Sequence, residues 1–508
     1  MQTKTRINTG VAAAGALVLM LTGCAGSSAD TDASSLTIGT MTVPQSLDPA
    51  EAMGSAMPYF QAVYDTLVKR EPDGGYTPML ATEWTYDESL TELTLTLRED
   101  VTFDDGTPFD AEAVRANLER FRDGGGGQAQ TMALLEEVEV VDDTTVVLHL
   151  EQPNPAMVFY LSDAAGLMAN PAAFDGDSLT TDPDGTGPYE LDQDRTAVGT
   201  TWVYTRADGY WGEDLPYDEV SINLFDNENA IVNGVRTGQI NAALLQDVDQ
   251  QAVAESDEKV ETQPQDIDYQ GIILFDRDGH IAPELAEPEV RQAINHAVDR
   301  ETMLEQLRDG QGETTSQIFG PQTDAYDPEL DTYYDHDPER ARELLADAGY
   351  PDGFALTLPR MSEIVSDPLA TSLQSDLADV GIDLTWDNLD SGSALNSIFT
   401  EQAYPGMVMN NAQPAEDWVT TVELVLPGTF NFFGTTDETV QDLTHTIQTS
   451  PDGEAADQAR ELNRHLVEQG WFVPFYRMTF LHVSDGTVDV EPQSGMAVPA
   501  LYNYAPAE

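Results

Sequence analysis

The amino-acid sequence predicts an α/β protein folded into two or more lobes. The chain has 508 residues, which is more than a single hydrophobic core usually organises. Segments with the two-residue period of strands alternate with segments of helical period, a pattern typical of α/β domains. Only one cysteine is present, so no intramolecular disulfide can form and burial of apolar surface must hold the lobes together.

The N-terminal residues have the layout of a secretory signal peptide. Two basic residues precede an uncharged apolar run over residues 11–21, which is too short to cross a bilayer. The sequence LTGC, ending at Cys24, resembles the cleavage box of bacterial lipoproteins. We therefore expect removal of residues 1–23, lipid on Cys24, and a flexible tether over residues 24–35. The alternative is an ordinary signal peptide with an incidental cysteine.

Acidic residues dominate the composition. The chain has 91 Asp and Glu residues against 22 Lys and Arg residues, a formal net charge of −69. Such a chain repels nucleic acid and anionic lipid headgroups, so nucleic-acid binding is excluded as an expected function. A solvated acidic coat of this kind fits a protein exposed to high salt.

Local signals predict the elements of the first part of the chain. The stretch SLTIGTM, residues 35–41, predicts a first strand. Leucine alternates with threonine over residues 93–97, the period of a half-buried strand. Asp110 is placed to cap a following helix. Two β-branched runs within residues 136–153 predict a hairpin. The alternating segment and the capped helix together predict a compact α+β unit.

The rest of the chain alternates strands and helices. GTGPYEL, residues 185–191, predicts a turn into a strand rather than a phosphate loop, because its proline lacks a backbone N–H and no Lys-Ser/Thr follows. Residues 217–245 predict strand, helix and strand, with Gly238 ending the helix. Further helices are predicted within residues 288–304 and after Asp337, the second ending before Gly349.

No motif of a catalytic or metal site is present. The seven histidines are scattered without an HExxH pair, and no GxSxG nucleophile motif occurs. Lipidation would consume the one cysteine as a nucleophile. No cofactor or metal is expected. A secreted hydrolase that uses two carboxylates stays as an alternative, because 91 acidic residues allow many pairs.

Aromatic and amide residues concentrate late in the chain. They occur in YPGMVMNNAQPAEDW, residues 404–418, and in GTFNFFG, residues 428–434. Rings supply contact area and amides both donate and accept hydrogen bonds, which suits a ligand cleft. The phenylalanines fit core and cleft equally well, whereas Asn410, Asn411 and Gln413 favour a cleft.

Five stretches together resemble one family. They are TLTLREDVTFDDGTPFDAEAVRANLERF, GTGPYEL, RADGYWGEDLPYDEVSINLF, EVRQAINHAVDRETML and DPERARELLADAGYPDGF, in this order behind the lipoprotein box. The sequence resembles the dipeptide- and oligopeptide-binding lipoproteins of ABC transporters, extracellular solute-binding protein family 5. The resemblance runs from about residue 36 to the C-terminus.

The resemblance implies the architecture and boundaries of the lobes. The fold is α/β, a two-lobed periplasmic-binding-protein-like fold of type II with an extra α+β domain inserted in the first lobe. The first lobe would comprise residues 36–57, 187–270 and 479–508, the inserted domain residues 58–186, and the second lobe residues 271–478. The ligand would lie between the lobes and be enclosed by hinge closure. No catalysis is implied.

The resemblance also implies an extracytoplasmic receptor of an ABC importer. It would be a monomer anchored to the cell membrane through Cys24, and would deliver a peptide or other small solute to permease and ATPase subunits. Peptide binders of the family carry an aspartate that pairs with the peptide amino terminus, and the nearest alignment puts Gln413 there. A shifted loop would bring Glu416 or Asp417 into that role. A neutral solute such as an oligosaccharide is the alternative ligand, and a signalling or chaperone lipoprotein is the alternative role.

The cleft residues that this resemblance implies come from several segments. They are Met41, Thr42, Tyr269, Asn410, Asn411, Gln413, Trp418, Asn431 and Tyr476.

Overall fold

The computed structural model describes residues 35–176, 178–213, 215–451 and 453–507. The predicted signal peptide, Cys24 and the predicted tether up to residue 34 lie outside the described residues. None of the described helices is both long and apolar enough to cross a membrane.

The described strands and helices alternate along the chain. The strands are β1 (Ser35–Thr40), β2 (Val68–Arg70), β3 (Tyr76–Pro78), β4 (Ala81–Tyr86), β5 (Glu92–Leu97), β6 (Leu135–Asp142), β7 (Thr145–Leu150), β8 (Tyr189–Leu191), β9 (Thr201–Arg206), β10 (Glu219–Leu224), β11 (Ala242–Leu245), β12 (Glu261–Leu274), β13 (Gly312–Thr314), β14 (Phe354–Arg360), β15 (Ile382–Asn388), β16 (Gly406–Ala412), β17 (Phe472–Ser484), β18 (Val488–Val490) and β19 (Tyr504–Pro506). The helices are α1 (Met57–Gln61), α2 (Ala111–Asp123), α3 (Met157–Leu161), α4 (Glu228–Arg236), α5 (Val248–Glu255), α6 (Pro288–Ala297), α7 (Arg300–Arg308), α8 (Pro338–Asp347), α9 (Asp367–Asp379), α10 (Ser391–Leu395), α11 (Asp417–Thr420), α12 (Glu438–Gln448) and α13 (Ala456–Glu468).

A nine-stranded mixed sheet runs through the described residues. Its order is β16-β12-β17-β11-β1-β10-β9-β8, with β13 paired to β17. Strand β1 is parallel to both of its neighbours, β10 and β11. Between β1 and β8 the chain forms a separate four-stranded antiparallel sheet, β4-β5-β7-β6, which helix α2 packs against. This separate sheet and its helix form the inserted α+β domain.

Two long strands connect the lobes. The first residues of β12, Glu261–Gln265, pair with the end of β17, which also pairs with β11 of the first lobe. The last residues of β12, Asp268–Leu274, pair with β16 of the second lobe. The β12–β17 pairing shifts register between Asp266 and Asp268 and again between Gln270 and Gly271. Bulges bend a strand locally, so the β12–β17 pair is bent at these positions.

Helix ends follow the predicted capping signals. The Asp110 carboxylate accepts a 2.9 Å hydrogen bond from the Ala113 N–H at the start of α2. Gly238 follows α4 with φ +67°, a left-handed conformation that glycine adopts without steric cost. The stretch predicted to be helical at 288–304 is two helices, because the chain leaves helical geometry at Val298 and Asp299 caps α7.

The buried apolar residues form several clusters. One cluster, containing Ile294, Leu344 and Leu373, fills the second lobe. The largest cluster includes the inserted domain and reaches Trp418 and Phe430. Apolar packing therefore joins the inserted domain to the segment that follows β16.

Candidate functional site

The main cavity lies between the inserted domain and the second half of the chain. Its volume is about 640 Å³. Residues within 128–134 and 152–165 line one side, and residues 418–430 with Gln448 line the other. A cavity of this size is in the range of small-molecule sites.

A short helix with an irregular end forms one wall of the main cavity. Helix α11 continues directly as a π-helical turn, Thr421–Val425. Side chains four residues apart share a helix face, and Trp418, Val422 and Leu426 all line the main cavity. π-Helical turns are rare and occur frequently at functional sites. The Trp418 side chain is 1% exposed, so packing fixes this wall.

Helix α3 and the loop after it form the opposite wall. Phe159 and Tyr160 line the main cavity. The Arg70 guanidinium lies 4.3 Å from the centre of the Phe159 ring, and one of its nitrogens lies 3.0 Å from a carboxylate oxygen of Asp163. Arg70 therefore stacks on the back of this wall and neutralises one of the two acids that line the cavity.

Among the described residues that line the main cavity, Glu423 is the other acid. No described residue bonds to its carboxylate, and burial raises its pKa above the ordinary glutamate value. Glu423 is an exposed residue that lines the cavity, so its carboxylate is accessible, and the surrounding wall reduces its solvation. Burial, followed by the charges of Glu416 and Glu423, raises the pKa of Tyr160. Among the described residues that line the main cavity, none is Lys, Arg or His.

Three of the predicted site residues carry buried hydrogen-bond donors that have no partner in the part of the chain that the structure describes. They are the indole N–H of Trp418, the hydroxyl of Tyr269 and the side-chain amide of Asn411. Tyr269 and Asn411 lie directly opposite each other on β12 and β16. A buried donor without an acceptor costs free energy, so these groups are candidates for contact with a solute or with water.

Other predicted site residues bond within the protein. The Gln413 amide donates to the Ile318 carbonyl at 2.9 Å, and the Tyr476 hydroxyl donates to the Gln270 side chain at 2.6 Å. Asn410 is exposed and its side-chain oxygen accepts from the same Gln270 at 2.7 Å. Asn431 is fully buried behind Phe430, with its amide donating to two backbone carbonyls.

Met41 and Thr42 line a different, smaller cavity of about 100 Å³ in the first lobe. The Tyr59 hydroxyl donates to the Thr42 carbonyl at 2.9 Å. Of the nine residues predicted to form the cleft, Trp418 lines the main cavity.

The two acids suggested as replacements at the amine-binding position have other contacts. The Glu416 carboxylate accepts from the backbone N–H of Trp418 at 3.3 Å. Both Asp417 oxygens accept from the Ala325 N–H, at 3.3 and 3.1 Å. Burial raises the pKa of Asp417 to about 6. Both residues line a second cavity rather than the main one.

Sequence reasoning missed the residues of the inserted domain and Glu423. Glu423 is a lone acid in the otherwise uncharged stretch VTTVELVLP, and this signal could have identified it. Tyr160 and Asp163 line the main cavity because the inserted domain packs near α11. The local sequence carries no signal for this packing. Within the described residues, no group of three or more His, Cys, Asp or Glu side chains is placed to hold a metal ion.

The family of the chain follows from a sequence match across its middle. Residues 75–426 match the bacterial extracellular solute-binding proteins, family 5 middle region. The chain belongs to this family. As a family 5 member it is a solute-binding protein of an ABC importer, of the extracellular solute-binding class. The predicted family is therefore confirmed.

Relatives of this family 5 protein differ in what they bind. The glutathione-binding protein GsiB of Escherichia coli K12 is 28% identical over 362 residues, covering 68% of each chain. The structure of AgaA with agropinic acid, from Agrobacterium tumefaciens R10, has a TM-score of 0.75 and 25% identity over 93% of this chain and 99% of the other.

Two further structures support the fold. HbpA2 of Haemophilus parasuis has a TM-score of 0.80 with 20% identity, covering 93% of this chain and all of the other. DppA of Helicobacter pylori in complex with the peptide STSA has a TM-score of 0.77 with 20% identity, covering 93% and 98%. The predicted two-lobed fold with its inserted domain is confirmed.

Proposed function

We propose that this receptor captures peptides with a free amino group in the main cavity and delivers them to a permease. The unpaired Glu423 carboxylate is the observation that carries the proposal. A carboxylate in an apolar wall gains most from a cationic partner, because a charge-assisted hydrogen bond is stronger where solvation is reduced. The paired state of Asp163 leaves Glu423 as the group that receives the ammonium.

The absence of cations among the described residues of the main cavity supports the same ligand class. A solute with several carboxylates would meet Glu423 without a compensating arginine or lysine, which is costly in a partly buried site. This argues against a solute with the net negative charge of glutathione, the ligand named for GsiB. The peptide bound by the Helicobacter pylori neighbour is compatible with the cavity lining.

The proposed lobe boundaries place the main cavity where closure would act. With the inserted domain at residues 58–186 and the second lobe at 271–478, the two walls of the cavity belong to different units. Bending near the bulges of β12 would move the walls relative to each other. A solute that contacts both walls would then stabilise the closed form.

A matched set of ligands and variants tests the ligand class. Isothermal titration calorimetry is done with Ala-Ala-Ala, its N-acetylated form and a neutral maltotriose. We expect Ala-Ala-Ala to bind, and acetylation or Glu423→Gln to weaken binding by about tenfold or more. Glu461→Gln, an exposed glutamate on α13, is the control and should leave the affinity unchanged. Equal binding of the free and acetylated peptides would contradict the proposal.

A neutral oligosaccharide is the second candidate ligand. The amide side chains that line the main cavity are Gln128, Gln130, Gln152, Asn154 and Gln448. Amides pair well with sugar hydroxyls, and the rings of Phe159 and Trp418 offer stacking surface. Binding of maltotriose that is insensitive to Glu423→Gln, without peptide binding, would favour this candidate.

We also propose that Cys24 attaches the receptor to the membrane through lipid. The support is the LTGC box behind a short apolar run. A single anchor of this kind would keep the receptor beside its permease. Cells fed radiolabelled palmitate should label the native chain and not Cys24→Ala. Label that persists in Cys24→Ala would contradict lipidation at this residue.

A further inference from the structure

A second cavity lies on the other side of Trp418. Its volume is about 510 Å³, close to that of the main cavity, and Trp418 lines both cavities. Residues adjacent in sequence line different cavities. Asn154 lines the main cavity and Pro155 lines the second cavity. In the same way, Gln448 lines the main cavity and Ile447 lines the second cavity. The two cavities are thus separated by one thin wall centred on Trp418.

The second cavity combines aromatic rings with carboxylates. Tyr76 and Trp84 come from the inserted domain, and Asp324 and Asp417 come from the second lobe. Lys, Arg and His are missing from its lining among the described residues. The neighbouring Arg460 is already bonded, to the Asp324 carbonyl at 3.1 Å and to the Asp457 carboxylate at 2.6 Å. Aromatic faces and carboxylates both attract a cationic side chain.

The wall itself carries an unpartnered group. The Trp418 indole N–H is buried and has no acceptor among the described residues. A peptide backbone that passes Trp418 would offer carbonyl oxygens to this donor. A peptide that runs past the Trp418 side chain keeps a van der Waals distance of about 3.5–4 Å from it on each side. An extended peptide advances about 3.3–3.6 Å per residue. The peptide therefore needs about two residues to pass from one cavity to the other.

From this arrangement we infer that the second cavity is a side-chain subsite for a lysine or arginine at the third position of a longer peptide. The inference rests on the proposed function, since the amino end of the same peptide occupies the main cavity at Glu423. It identifies the ligand class as basic peptides of at least three residues. Dipeptides use the main cavity alone.

Peptide amides that differ in one charge test the subsite. Calorimetry on the full-length protein compares Ala-Ala-amide, Ala-Ala-norleucine-amide and Ala-Ala-lysine-amide, because amidation removes a carboxylate that the acidic lining would repel. We expect the lysine peptide to bind about tenfold more tightly than the norleucine peptide.

Two variants assign that preference to the second cavity. Ala456→Phe fills part of it from the start of α13, and Asp324→Asn removes one of its charges. Both should reduce the lysine preference and leave Ala-Ala-amide binding within about twofold, whereas Asp347→Asn, exposed on α8 and outside both cavities, should change neither. The inference is overturned if the wild-type protein binds the lysine and norleucine peptides with nearly equal affinity, or if both variants keep the wild-type lysine preference. The proposed function would still stand in either case if Ala-Ala-amide binds. If none of the three peptides binds, the proposed function fails and the subsite fails with it.

Discussion

The side-chain amide of Gln448 donates a 2.9 Å hydrogen bond to the backbone carbonyl of Pro153. Gln448 ends α12 and Pro153 follows β7 of the inserted domain, so 295 positions in sequence separate the partners. Gln448 lines one side of the main cavity, and Gln152 and Asn154, the neighbours of Pro153, line the other, so this bond links the two sides that a solute would have to bridge.

Removing the bond should weaken the contact between the inserted domain and α12. We expect Gln448→Ala to lower the free energy of unfolding by about 0.5–1.5 kcal/mol, the usual contribution of one such bond. Urea denaturation measures the change. Gln441→Ala, an exposed glutamine on the same helix, is the matched control. Equal effects of the two substitutions would show that the Pro153 contact contributes nothing.

Peptide affinity should depend on pH through Glu423. Burial raises the pKa of this carboxyl, and a bound ammonium favours the ionised form. Binding should therefore be strongest above the raised pKa and weaken as the pH falls through it. Calorimetry with Ala-Ala-amide from pH 4 to pH 8 measures the profile, and Glu423→Gln should flatten it. A wild-type profile without this loss would contradict the assignment of Glu423.

Asn431 should support stability rather than ligand choice. Its amide donates to the carbonyls of Val425 and Thr435, and its side-chain oxygen accepts from the Thr435 N–H at 3.0 Å. We expect Asn431→Ala to lower the free energy of unfolding by about 2–3 kcal/mol, because it strands buried backbone groups. The affinity ratio between free and acetylated Ala-Ala-Ala should stay unchanged.

Asn396→Ala provides the reference for that measurement. Asn396 is exposed and its side-chain amide donates to the exposed Glu401 carboxylate, so its replacement should change stability by less than about 0.5 kcal/mol. A change in ligand ratio for Asn431→Ala without loss of stability would instead return Asn431 to the cleft.

Asp65 should make stability depend on pH between about 4 and 7. It is fully buried and accepts bonds from Tyr210, Trp211 and Thr186 at 2.8–3.1 Å. Burial outweighs these bonds and raises its pKa to about 7. The folded state therefore holds this proton more strongly than the unfolded state, and the Asp65 contribution is fully present below the unfolded pKa and is lost as the pH rises through about 7.

Urea midpoints at pH 5 and pH 8 measure the contribution of Asp65. In the native chain, the free energy of unfolding should fall from pH 5 to pH 8. In Asp65→Asn this fall should be smaller, by a few kcal/mol at most. Asp175→Asn, exposed in the same domain, should keep the native decline. An equal decline in Asp65→Asn would contradict the buried proton.

Most of the fold was predictable because its signals are local. The cap at Asp110, the left-handed Gly238 and the alternation at 93–97 act over a few residues, and the structure places α2, the end of α4 and β5 there. The break between α6 and α7 was missed because helical periodicity continues through it, although Asp299 caps α7 with two hydrogen bonds from Thr302.

The candidate site was less predictable because its walls come from distant segments. Trp418 was identified from a cluster of aromatic and amide residues, yet Gln413 and Asn431 in the same cluster bond inside the second lobe. Nothing in the local sequence distinguishes an amide that faces a cavity from one that holds a turn. The pairing of Arg70 with Asp163, which leaves Glu423 as the unpaired acid, is a tertiary contact over 93 positions.

A crystal structure of the protein with Ala-Ala-lysine-amide tests the central claim most directly. The account predicts the peptide amino group in hydrogen-bond contact with the Glu423 carboxylate, between the walls formed by Tyr160 and Trp418. A peptide bound elsewhere, with the Glu423 carboxylate free of any contact to it, would contradict the account.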